Sequence, residues 1–74
     1  MIAEILSTGD EVLLGDIIDT NSGYLCERLK EMGILVRQIT VVGDSVTRIS
    51  HALGKIAQRA DICLVTGGLG PTQD

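Results

Sequence analysis

Four apolar residues, Ile62-Cys63-Leu64-Val65, run through Thr66 straight into Gly67-Gly68-Leu69-Gly70-Pro71-Thr72-Gln73-Asp74. An apolar run this short, bounded by glycines, reads as a buried strand of a parallel sheet. Glycines directly after such a strand let backbone N–H groups come close to a ligand, as phosphate-cradling loops do. A helix is expected to follow the loop, beyond Asp74.

The rest of the chain supplies the partners such a strand needs. Ile2, Ala3, Ile5 and Leu6 read as a first strand that ends at Ser7-Thr8-Gly9. Gly9 to Thr20 is loop-like, but Val12-Leu13-Leu14 and Ile17-Ile18 predict that it packs down as a short hairpin or a helical turn. Asp19-Thr20-Asn21 offers capping oxygens, and Leu25, Leu29 and Met32 then recur at helical spacing, with Gly33 as the stop. The first long helix is therefore expected over Asn21–Met32. Ile34–Val42 reads as the second strand, and Gly43-Asp44-Ser45 as the entry to a second helix carrying Val46, Ile49, Leu53, Ile56 and Ala60 in one apolar stripe. Gly54 interrupts that stripe, either as a point of close helix–sheet approach or as a tolerated defect. The order is β-α-β-α-β. It predicts a three-layer α/β fold with three parallel strands and right-handed crossovers.

Composition narrows the class. A chain of 74 residues is one domain at most, and at this size folding buries only about 60% of the unfolded surface. The single aromatic residue, Tyr24, leaves the core to aliphatic side chains. A net charge of −4 without a basic cluster argues against nucleic acid as partner. Cys26 and Cys63 fall in a helix and a strand, which suits reduced thiols in the cytoplasm better than a disulfide framework. No apolar stretch approaches the roughly 18 residues of a membrane helix, and Met1–Leu6 carries Glu4 and no basic run, unlike a signal peptide.

In a parallel sheet the ligand sits beyond the carboxyl ends of the strands. Asp10, Glu11, Asp16 and Asp19 follow strand one, Asp44 follows strand two and Asp74 follows strand three. No Lys or Arg falls there; Arg28, Lys30, Arg37, Arg48, Lys55 and Arg59 lie on the helices and on strand two. Loop N–H groups beside carboxylates, without a nearby cation, point to phosphate bridged by a divalent metal such as Mg²⁺. The plainer alternative is that Asp19 and Asp44 cap helices while Asp10 and Asp16 solvate a loop.

Commoner templates fail. The loop lacks the Gly-Lys-Ser/Thr of a Walker A motif. Gly68-Leu69-Gly70 begins a GxGxxG frame, but Gln73 stands at the third glycine and the loop follows the third strand. The lone His51 is placed mid-helix on a solvated flank, and Cys63 inside a strand reads as packing rather than as a nucleophile.

STGDEVLLGDIIDTN (Ser7–Asn21), VVGD (Val41–Asp44) and TGGLGPTQD (Thr66–Asp74) resemble the N-terminal part of the competence/damage-inducible protein CinA family, along the whole chain and in order. The resemblance implies a molybdopterin-binding-like fold shared with molybdenum-cofactor biosynthesis proteins, with residues 1–74 forming the first half of one domain. It also implies metal-dependent hydrolysis of ADP-ribose or a related nucleotide pyrophosphate in a longer parent, which often carries a nicotinamide mononucleotide amidohydrolase domain as well. Asp10 departs from the family, where many members carry Thr before the Glu, and in this it resembles the molybdotransferases.

On that footing Asp44 and Asp74 are the catalytic candidates, and Asp44, Asp74 and Glu11 the metal ligands. Thr8, Gly9, Asp19, Asn21, Thr66, Gly67, Gly68, Gly70, Pro71 and Thr72 are the candidates for binding a nucleotide or pterin phosphate. The alternative is a non-catalytic molybdopterin- or nucleotide-binding module, or a relative of the molybdenum-cofactor biosynthesis proteins. The parent is expected to be a cytoplasmic homo-oligomer. The 74 residues alone are expected to be inactive and weakly stable, with unpaired sheet edges and, if the strands are added in one direction, one bare sheet face.

Overall fold

The computed structural model describes residues 1–15 and 19–67. Within these, the elements run β1 (Ile2–Thr8), α1 (Asp10–Leu13), α2 (Thr20–Glu31), β2 (Leu35–Val42), α3 (Val46–Ala57) and β3 (Ile62–Gly67). All strand pairings are parallel, as the alternating periodicities predict. Of the two forms expected after Gly9, the helical turn is the one adopted, as α1. Asp19 caps α2: its carboxylate accepts the Ser22 amide at 3.2 Å and the Ser22 hydroxyl at 2.6 Å. At α3 the capping oxygen is the Ser45 hydroxyl, which accepts the Arg48 amide at 3.3 Å, and not the Asp44 carboxylate.

The strand order is β2-β1-β3, so the chain reverses direction after β2 and crosses β1 to lay down β3. Two right-handed crossovers in opposite directions put their helices on opposite faces. Glu4, Leu6 and Thr8 share a face with their partners Gln38, Thr40 and Val42, the side on which α3 lies. Ala3, Ile5 and Ser7 point to the α2 side, where Ser7 lies near the Asp19 carboxylate. The bare face expected from one-directional strand addition is therefore corrected: each face carries a helix, because the strand order reverses.

The core is aliphatic, built from Ala3, Ile5, Leu6, Leu29 and Ile56, while Tyr24 stays outside. The α3 stripe is only partly used. Ile56 is buried and Ile49 half-buried, but Val46 is 80% exposed. Gly54 has open space where a Cβ would stand, so the close-approach reading is set aside. 

One buried group had no place in the sequence reading. Glu4, fully buried mid-strand, receives Arg59 through two bonds (Nε to Oε2 at 2.8 Å, Nη2 to Oε1 at 2.9 Å) and Arg37 Nη2 at 2.7 Å. Register steps from Ala3↔Val36 to Glu4↔Gln38, which leaves Arg37 as the extra residue of a β-bulge. Bulges re-aim side chains, and this one turns Arg37 onto the Glu4 side of the sheet. Bonds from Arg59 first, then Arg37, outweigh burial and hold the Glu4 carboxyl down at about 2. A lone acid inside the apolar run Ile2–Leu6 was the available signal, since buried carboxylates require partners.

Candidate functional site

Reversal of strand order after β2 makes the crevice between the carboxyl ends of β1 and β3 a topological switch point, the place where open α/β sheets bind ligands. Thr8 and Gly67 are paired there. Ser7 pairs with Thr66, and the Thr8 hydroxyl reaches the Thr66 carbonyl at 3.5 Å. A Cβ on Gly67 would stand 3.5 Å from the Thr8 hydroxyl, so the two strand ends meet with only a hydroxyl between them.

Gly9 turns the chain out of β1. Its N–H still reaches Val42 O at 3.0 Å across to β2, and its φ of 139° lies where side-chain-bearing residues are strained. The turn carries Glu11 back over it: a Cβ on Gly9 would meet the Glu11 carboxylate at 3.0 Å.

Beside this turn, the ends of β1 and β2 are tied by two reciprocal bonds. Asp10 Oδ1 accepts the Asp44 N–H at 3.0 Å, and Asp44 Oδ2 accepts the Asp10 N–H at 3.3 Å. Gly43 makes the approach possible, because a Cβ there would collide with Asp10 Oδ1.

The structure thus brings Thr8, Gly9, Thr66 and Gly67 to one crevice, with Glu11, Asp10 and Asp44 around the β1–β2 corner. Asp19 lies on the α2 side, engaged by Ser22, and its carboxyl is held below its ordinary range, chiefly by the Ser22 hydroxyl. Asn21 is exposed in the first turn of α2. Asp16, Gly68, Gly70, Pro71, Thr72 and Asp74 lie outside the described residues. Among the described residues no three carboxylates, thiols or imidazoles converge as a metal site.

Cys63 is half-buried, and burial, with the Glu4 charge adding, pushes its thiol up, away from nucleophile chemistry. No helix among the described residues is long and apolar enough to cross a membrane.

Residues 4–74 match the MoCF_biosynth family model, described as a probable molybdopterin binding domain. All 74 residues align at 55% identity with a CinA-like protein of Desulfosudis oleivorans. They align at 54% with a protein of Halothermothrix orenii described as competence-damage inducible. In both cases the chain spans 18% of the relative's length. A crystal structure of the protein CinA from Thermoplasma acidophilum, described as of unknown function, superposes with a TM-score of 0.88 at 32% identity, over 96% of this chain and 42% of that one.

Proposed function

Because the chain belongs to the MoCF_biosynth family of molybdopterin-binding-like domains, we propose that it binds the phosphate end of a nucleotide or pterin at the crevice between β1 and β3. The observation that carries this reading is the strand order β2-β1-β3. That order sets Thr8 beside Gly67 at the switch point, with backbone amides and a hydroxyl as donors; among the described residues the Thr8 hydroxyl alone stands within 4 Å of a Cβ placed on Gly67. The loop sequence Gly68–Asp74 would complete the cradle.

Within a longer parent, the proposal extends to hydrolysis of the pyrophosphate of ADP-ribose or a related nucleotide. Asp44 and Asp74 would be the metal-dependent pair, and Glu11 a further ligand. The acidic balance and the two free thiols, Cys26 and Cys63, suit a cytoplasmic protein; a homo-oligomeric parent belongs to the same proposal.

A second reading, a module that holds its ligand without chemistry, is favoured by one observation. The Asp10 and Asp44 carboxylates are already engaged by each other's amides.

Two measurements on the full-length protein separate the readings. Calorimetric titration with ADP-ribose tests binding, and a Thr8→Val variant is expected to weaken it about tenfold. AMP release, with Mg²⁺ or with EDTA, tests chemistry. Binding without metal-dependent AMP release leaves the module reading standing, and Thr8→Val binding as tightly as the native protein would refute the site.

A further inference from the structure

The exposed flank of α3 presents Arg48, His51 and Lys55, spaced by three and four residues and so on one helix face. They look across a groove of about 510 Å³ at Gln38 and Thr40 of β2, above a floor that includes the buried Ile56. Among the described residues Arg48 and Lys55 form no ion pair. The neighbouring Arg37 and Arg59 already share Glu4, so the positive charge of the groove is not neutralised from within.

A second observation concerns β2 itself. Among the described residues it is the edge strand of the sheet, paired only to β1. Its opposite face, shared with Ala3 and Ile5, carries apolar side chains, the half-buried Val36 and Ile39 at 43% exposed. An edge strand with free N–H and C=O groups is a template for another strand. Any strand added here would meet two different environments on alternate residues: cations and amide or hydroxyl groups on the α3 side, apolar side chains on the α2 side.

We propose that the outer edge of β2 and the basic flank of α3 together form a docking site for an extended acidic peptide that adds to the sheet as a fourth strand. Its alternate residues would be carboxylates against Arg48, His51 and Lys55, and aliphatic side chains against Val36 and Ile39. Charge complementarity selects this occupant. A second copy pairing β2 with β2 would bring two basic α3 flanks together, and like charges at that distance repel. The eight residues of β2 span about 26 Å at roughly 3.3 Å per residue, so a peptide of similar length covers the edge.

The test is fluorescence anisotropy of the full chain with a labelled eight-residue peptide of alternating glutamate and valine. Three comparisons accompany it: the lysine–valine counterpart, the glutamate–valine peptide N-methylated at alternate residues, and an R48E/K55E variant of the chain. The acidic peptide is expected to bind the native chain at least tenfold more tightly than the lysine peptide, and the preference is expected to invert on the variant. That inversion also shows that the variant is folded. N-methylation is expected to abolish binding, because it blocks the hydrogen bonds to β2. Absent binding of the acidic peptide, equal binding by the methylated peptide, or an unchanged preference on the variant would each overturn the proposal.

Discussion

Gly43 is expected to be indispensable for one reason only, its approach to Asp10. A methyl group at this position would collide with Asp10 Oδ1, the atom that accepts the Asp44 amide. Moving that carboxylate breaks this bond and displaces the return bond from the Asp10 amide to Asp44. Two such bonds are worth about 0.5–1.5 kcal/mol each, so the loss is about 1–3 kcal/mol. Gly43 has an ordinary negative-side φ, so alanine also restricts the unfolded chain and returns about 0.4–1 kcal/mol. Gly43→Ala should therefore destabilise by about 0–2.6 kcal/mol. In an Asp10→Ala background the colliding atom is gone, and the same substitution should be neutral or stabilising by up to about 1 kcal/mol. Leu13, 3.4 Å from the same point, is common to both backgrounds and cancels. Urea unfolding of the four proteins in this cycle measures the coupling. Equal destabilisation by Gly43→Ala in both backgrounds would refute the assignment of Asp10–Asp44 as the tie between the strand ends.

Glu4 is depressed in the folded chain from 4.5 to about 2, so the unfolded chain binds the extra proton. Its contribution is full above about pH 4.5 and is lost as pH falls toward about 2; Glu4→Gln should flatten the urea midpoint across that window, and an equally steep acid limb would contradict the clamp. Ile56→Ala should cost about 2–5 kcal/mol because the side chain is buried, whereas Val46→Ala, on the same sequence stripe, should stay within about 0.5 kcal/mol by the same melts. Asp19→Ala removes the cap on the Ser22 amide and should cost about 0.5–2 kcal/mol, with the faster amide exchange confined to the first turn of α2.

Local signals carried most of the architecture. Short apolar runs, helical spacings and capping residues located three strands and two long helices to within about three residues, the second helix ending at Ala57 short of the expected Ala60, because each depends on neighbours along the chain. The alternation of strands and helices was enough to make the sheet parallel, since parallel neighbours require a crossover. The Ser7–Asn21 and Thr66–Asp74 motifs likewise pointed to the strand ends where Thr8 and Gly67 meet.

What the chain could not state locally was which strand lies in the middle. Placing β3 beside β1 rather than β2 is a choice among long-range pairings, and it alone decides that the helices cover both faces and that a crevice opens at Thr8. The same holds for the acids. In sequence, Asp10 and Asp44 are carboxylates near strand ends with nothing local to pair them. Tertiary contacts lock Asp10 to Asp44 across residues 34 positions apart, while the Asp19 cap is local, three residues from Ser22. Glu4, Arg37 and Arg59 are the clearest case. Three charges far apart in the chain become one buried cluster only because a bulge in β2 and the end of α3 deliver both guanidinium groups to the same carboxylate. Periodicity records which face a residue takes, while the partner that makes a buried charge tolerable is fixed by the three-dimensional packing of distant segments.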